Sequence, residues 1–182
     1  MSTTSRKRSA SAVARRFGVE IVRDAPTRLW PFSRFFRGFD RVPAVRELFG
    51  RKTAEVLRRQ KVEFFSARFG YMSTSDIDGH LIISSPYLRT GDLRSVYLDL
   101  VHELCHVRQF RAKQPLFYPK LSYVDAPSEI EAYRITVQEG RRIGMNDREL
   151  AEYLRIEWIT PAEHRRLARR TGVRLPAARR RR

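Results

Sequence analysis

The period of the apolar positions changes along the chain, and each change marks an element. Gly18 to Val22 has the character of a short strand. Over 43–60, Val45, Leu48, Val56 and Leu57 form an apolar stripe, and Pro43 suits a first helical turn, so a helix is predicted there. Phe64 to Tyr71 and Leu81 to Ser85 read as strands. Asp78-Gly79 between them is a turn signal and predicts a β-hairpin or tight strand pair. From Asp92, a plausible N-cap, Leu93, Val96, Tyr97, Leu100, Leu104 and Val107 recur at three- and four-residue steps, predicting a helix to about Arg111. A looser stretch rich in Pro and Tyr, 114–126, follows. Pro127-Ser128-Glu129 then opens a second helix that runs to about Ile143, ahead of Gly144. Asp147 to Tyr153 and Pro161 to Arg170 read as further short helices.

The segment from Leu29 to Phe39 is dense in aromatics and arginine. Such a stretch can dip into a membrane surface, but the expectation here is that its rings cap one side of the core. No run reaches the roughly 18 apolar residues of a membrane span, and no secretory signal pattern precedes Arg15 and Arg16.

Charge is distributed unevenly. The formal net charge is +17 over 182 residues. Residues 1–16 hold five basic side chains and no acid, and residues 165–182 hold nine arginines and no acid. The two ends therefore carry 14 of the 17 excess charges, leaving about +3 between them. This predicts a nearly balanced body, 17–171, between a basic tail, 1–16, and an Arg-rich tail, 172–182. Cationic arms of this kind suit weak, salt-sensitive contact with a polyanion such as nucleic acid, the ribosome or an anionic membrane. The single cysteine, Cys105, excludes an internal disulfide and fits a reducing compartment, so a cytoplasmic location is expected.

Within the helix predicted from Asp92 lies Val101-His102-Glu103-Leu104-Cys105-His106, an HExxH pattern. Residues four apart sit one turn above each other, so His102 and His106 share a side and can bind one Zn²⁺. Glu103 lies about 100° round the helix, close enough to take a proton from a metal-bound water without being a ligand. Burying these groups without a metal would leave polar atoms uncompensated at a cost of several kcal/mol. A catalytic zinc needs a third protein ligand and an open position. His80 lies before the motif and His164 far beyond it, whereas Glu129 and Glu131 open the second helix. Being two apart, these acids cannot both face the ion.

HExxH on one helix with a glutamate on the next resembles the gluzincin metallopeptidases. Glu129-Ile130-Glu131-Ala132, beginning 23 residues after His106, is similar to the ExxA of HtpX-like and ImmA/IrrE-type proteins. The resemblance covers roughly residues 60–143. It implies an α+β, small zincin-like (minigluzincin) domain with an HExxH helix, a second ligand-bearing helix and a short β-hairpin or small sheet. It makes Glu129 the third metal ligand, with Glu131 the fallback, and Ala132 the small residue that lets the helices approach. Tyr133 stands where those families carry Asp or Asn in support of a ligand histidine. Asp99, one turn before His102, is the candidate to take that part. SprT-like proteases match only partially, because no histidine follows the motif at the required place.

These readings lead to one functional expectation: a zinc-dependent metallopeptidase that hydrolyses peptide bonds through a zinc-bound water activated by Glu103, acting on a peptide or protein substrate. The alternative is a zinc-containing regulatory or nucleic-acid- or ribosome-associated protein with little or no peptidase activity. Tyr123, Tyr133, Arg134 and His80 are the candidates for stabilising an oxyanion. Cys105 is read as a small buried thiol, His80 as a hairpin side chain and Trp158 as core.

Overall fold

A computed structural model describes residues 18–67 and 71–176. The basic segment 1–16, residues 68–70 of the strand expected over 64–71, and 177–182 of the Arg-rich tail lie outside the described residues.

The architecture is α+β. Strands β1 (Glu20–Ile21) and β3 (Phe36–Arg37) pair antiparallel, enclosing strand β2 (Leu29–Pro31) and helix α1 (Phe32–Phe35) in sequence. Phe32, Phe35, Phe36 and Phe39 are all buried, with the Phe32 ring tilted against Phe36 at 4.9 Å and edge-to-face with Phe39 at 5.6 Å between centroids. The aromatic segment therefore packs into the protein core. No described helix is long and apolar enough to cross a membrane.

The helix expected over 43–60 is two helices, α2 (Pro43–Phe49) and α3 (Thr53–Arg59), joined by a 3₁₀ turn over Gly50–Lys52. The break falls at Gly50, whose φ of +56° is a conformation that glycine adopts without a Cβ penalty. The apolar stripe runs across it unbroken, and so hides it.

A four-stranded sheet follows, in the order β2-β4-β6-β5, with β4 at Lys61–Phe65, β5 at Met72–Thr74 and β6 at Leu81–Ser84. Here the structure corrects the expected pairing. β4 and β6 run parallel, Val62 opposite Leu81 and Phe64 opposite Ile83. The Asp78-Gly79 turn does close a hairpin, but between β5 and β6. Gly79 donates its N–H to the Ser75 carbonyl at 3.0 Å, with φ +75°. A turn signal fixes only the strands that flank it. The parallel partner is set by burial: Val62, Phe64, Leu81 and Ile83 are fully buried on the core face.

After a short helix α4 (Ser85–Thr90) comes α5 (Leu93–Arg111), the long helix of the fold. Asp92 caps it, its carboxylate accepting the Ser95 N–H at 3.1 Å. From Val96 to Val107 its side chains are buried almost all round, because the sheet covers one side and α6 (Pro127–Arg142) the other. Each fully buried leucine here contributes about 1.5–3 kcal/mol of transfer free energy. Helix α6 lies against α5 through Ser128, fully buried Ala132 and Thr136. Further along, Gly140 admits α7 (Asp147–Tyr153): a Cβ at Gly140 would sit 2.7 Å from a Leu150 methyl.

A second apolar cluster joins Val124, Tyr133, Val137, Leu150, Leu154, Leu167 and Val173. It packs α7 and α8 (Pro161–Thr171) onto the outer face of α6. Both short helices start with capping boxes, Asn146 with Glu149 and Thr160 with Glu163. The C-terminal arginine run begins inside this cluster. Arg166 and Arg170 pair with Asp125 at 3.1 and 2.7 Å, anchoring α8 to the 3₁₀ turn Tyr123–Asp125 that leads into α6. Those two arginines thus belong to the folded body.

Candidate metal centre

His102 and His106 point from one face of α5 towards the first turn of α6. Their Nε2 atoms are 3.0 Å apart. Glu129 completes a triangle: its carboxylate lies 3.2 Å from His102 Nε2 and 3.4 Å from His106 Nε2. All three side chains are withdrawn from solvent, at 7, 8 and 13% exposure. Glu131 turns the other way. It pairs with Arg108 and accepts from Gln109 Nε2 at 2.8 Å, and its side chain is 45% exposed. The face of α6 that meets α5, marked by Ser128, Ala132 and Thr136, carries Glu129 towards the histidines and Glu131 to the flank.

His106 is braced from behind. Its Nδ1 is 2.7 Å from Gln109 Oε1. Gln109 Nε2 donates to the Ser128 carbonyl at 3.0 Å and to Glu131, which fixes the amide with its oxygen towards the ring. Nδ1 is thus the donor, leaving the Nε2 lone pair directed at the triangle. Gln109 is almost fully buried, and it stands one turn after His106. That spacing was its signal in the sequence, and the motif alone did not draw attention to it.

His102 is held differently. The Tyr133 ring lies 4.4 Å from its ring between centroids, and the Tyr133 hydroxyl is 2.9 Å from that of Tyr123. His102 Nδ1 is buried with no hydrogen-bond partner. Asp99 does not take the supporting part expected of it. Its carboxylate accepts from the hydroxyls of Tyr87 and, at 2.8 Å, Tyr153. Burial raises the Asp99 carboxyl to about 6, against the opposing effect of those two hydroxyls.

The electrostatics favour a cation at the triangle. Burial alone would lift the Glu129 carboxyl, yet the His102 and His106 imidazoles that face it hold it well below the usual carboxylate range. Burial alone would depress His106, yet Glu129 and Glu103 raise it to about 9. Two imidazoles and a carboxylate are a donor set suited to zinc, and donors around a tetrahedral ion with bonds of about 2.0–2.2 Å stand roughly 3.3 Å apart. The observed edges fit that spacing. Glu129 Oε2 is also buried without a hydrogen-bond donor, the condition that a bound ion relieves. His102, His106 and Glu129 therefore form a group able to hold a metal ion, and among the described residues no other trio of histidine, cysteine or acidic groups does so.

Glu103 is buried beside this group. The Thr74 hydroxyl, from β5, donates to its Oε2 at 2.9 Å. A cleft of about 310 Å³ opens on His102 and Glu103. Tyr71, Met72, Tyr123, Tyr133, Glu157 and Trp158 line it, with the Tyr71 and Tyr123 rings both against Trp158. Among the described residues no strand pairs with the other side of β5, which is an edge strand of the sheet. Ladder bonds at Tyr71 with Ser84 and at Ser75 with His80 fix the alternation, so the N–H and C=O of Met72 and Thr74 point away from β6.

Of the oxyanion candidates, Tyr123 and Tyr133 line the cleft. Arg134 instead donates to the Arg170 carbonyl at 3.0 Å, and His80 contacts Asp78 and Glu63 at the hairpin turn. Cys105 is fully buried, and burial pushes its thiol up to about 12. Trp158, expected in the core, is 57% exposed at the cleft rim. Its apolar neighbours in sequence, Ile156 and Ile159, face the second cluster and turn it outward. No family model, curated protein or solved structure matches the chain.

Proposed function

We propose that this protein is a zinc-dependent peptidase with a gluzincin-like domain, in which His102, His106 and Glu129 hold the ion and Glu103 is the general base. The observation that carries this reading is the position of Glu103. It lines the cleft next to His102, its carboxylate is not one of the triangle's donors, and Thr74 orients it. A structural zinc site closes with four protein ligands and has no use for a base, whereas this group has three.

Zinc bound there supplies Lewis acidity towards a carbonyl and acidifies a water. The chain supplies the rest. Glu103 takes a proton from the attacking water and returns it to the leaving amine, so that hydrolysis consumes one water and leaves a carboxylate and an amine. Tyr123 and Tyr133 border the space where the carbonyl oxygen gains charge. Burial holds both phenols well above their usual range, so both stay protonated; because the two hydroxyls bond each other, one proton is used between them and the other is free to be donated to the oxygen. The free edge of β5 can align an extended peptide by strand addition through Met72 and Thr74.

Glu103→Gln is the test. The variant is expected to keep its zinc and lose at least about 100-fold in peptide hydrolysis. Unchanged turnover would overturn the assignment of the base. A second reading draws on the charge of +17: a zinc-containing protein that sits on nucleic acid, the ribosome or an anionic membrane, with no peptidase activity. Under that reading Glu103→Gln leaves every function intact. The single buried thiol, Cys105, supports a reducing, cytoplasmic setting.

A further inference from the structure

The cleft has a chemical character that the hydrolytic machinery does not require. Five carboxylates line it: Asp92, Asp99, Glu103, Glu152 and Glu157. The one arginine that lines it, Arg155, lies 3.6 Å from Glu152, and the five acids still outnumber the arginine by four. The rest of a strongly basic chain contrasts with this, and acidic groups are therefore gathered in the cleft that reaches Glu103.

The aromatic rings add a second feature. Trp158 stands exposed at the rim, with the Tyr71 ring 6.2 Å away and tilted by 30°, and the Tyr123 ring 5.8 Å away and nearly perpendicular. The exposed indole of Trp158 is thus backed by two tyrosine rings, an aromatic frame in the same cleft as the Glu157 and Glu152 carboxylates. Tyr71 ties the frame to the edge strand: its phenol, hydrogen-bonded to Glu157 and partly buried, is pushed up to about 12. An exposed tryptophan held between two tyrosines next to acids is the arrangement that attracts a guanidinium or ammonium group, through ring faces and charge together.

We infer that the frame of Tyr71, Tyr123 and Trp158, with Glu152 and Glu157, is a subsite for a cationic side chain, so that the substrates are peptides with an arginine or lysine close to the bond that is cut. The inference rests on the peptidase reading for the cutting, and on the cleft alone for the binding. A peptide paired along β5 runs past Tyr71 and Met72, which places alternate side chains over this frame.

The probes are acetylated, amidated peptides of six alanines around one central residue: arginine, its neutral isostere citrulline, or leucine. Binding is measured by calorimetry at low ionic strength on zinc-loaded Glu103→Gln protein. The arginine peptide is expected to bind about tenfold more tightly than the citrulline peptide. In protein that also carries E152Q and E157Q the preference is expected to fall below about twofold, with the citrulline and leucine peptides unaffected. Both acids are exposed, so these substitutions leave the core alone. Trp158→Ala is expected to weaken the arginine peptide most. Equal binding of arginine and citrulline peptides, tighter binding of leucine, or no binding of any of the three overturns the subsite. Wild-type cleavage separates the two claims. Arginine-selective binding without cleavage refutes the peptidase and upholds the subsite; equal cleavage of all three does the reverse.

Discussion

The two imidazoles of the centre sit in contrasting surroundings. His106 is locked from behind by Gln109, which Ser128 and Glu131 hold in turn. His102 has a tyrosine ring against it, no partner at Nδ1, and the open cleft beside it. The difference teaches a division of labour. Under the proposed function, the inner histidine is the one fixed for metal affinity, by a chain of hydrogen bonds that also joins α5 to α6. The outer one borders the cleft proposed to take substrate, where packing by Tyr133 takes the place of a polar brace.

The contrast can be broken most forcefully at the acids of α6. Glu129→Ala is expected to abolish stoichiometric zinc binding, while Glu131→Ala, which removes only a brace, weakens affinity by no more than about 10- to 100-fold in competition with a chromogenic chelator. Equal losses would erase the distinction between them. Next comes the brace itself. Gln109→Leu should lower zinc affinity by about 10- to 100-fold, whereas Tyr133→Phe, which keeps the ring on His102, should change it by less than about threefold. A larger loss at Tyr133 would mean that its hydroxyl, and not its ring, supports the outer side.

Thr74→Val probes the cleft wall with a smaller effect. It leaves Glu103 without its hydroxyl donor, worth about 1.5–3 kcal/mol for a bond to a charged group. Turnover is expected to fall by about tenfold or more at unchanged zinc content, and an unaffected rate would show that Glu103 is positioned by packing alone. The smallest effect lies farthest from the metal. The Ser122 hydroxyl, followed by Arg166 and Arg170, holds the Asp125 carboxyl below its ordinary value. A carboxyl lowered on folding adds stability that is present above its unfolded pKa and is lost as pH falls through the folded one. Asp125→Asn should therefore lower stability at neutral pH by less than about 1 kcal/mol for a partly exposed cluster, seen as a small fall in Tm, and the difference from wild type should vanish in acid. A constant difference across pH would assign the contribution to packing.

Much of this was legible in the chain. The long helix announced itself through Asp92 and an apolar face at three- and four-residue steps, and α6 through Pro127 and Gly144. These are local signals, and they survive in the fold because neighbouring residues generate them. The parallel pairing of β4 with β6 was not legible: it joins residues about twenty apart, and the local turn at Gly79 belongs to another pair. The choice between Glu129 and Glu131 depends on how α6 is rotated against α5, which single-chain periodicity leaves open. The aromatic frame at the cleft was invisible for the same reason. Tyr71, Tyr123 and Trp158 come from three separate segments, and Trp158 sits among isoleucines that read as core.

The central claim is that three side chains from two packed helices close around one ion. Metal analysis of the purified protein by mass spectrometry tests it most directly, comparing wild type with His106→Ala. One equivalent of zinc in the wild type, falling to near zero in the variant while the far-ultraviolet circular dichroism of the fold persists, is the expected result. A wild-type protein that takes up no zinc when it is supplied, or a His106→Ala protein that retains a full equivalent, contradicts it.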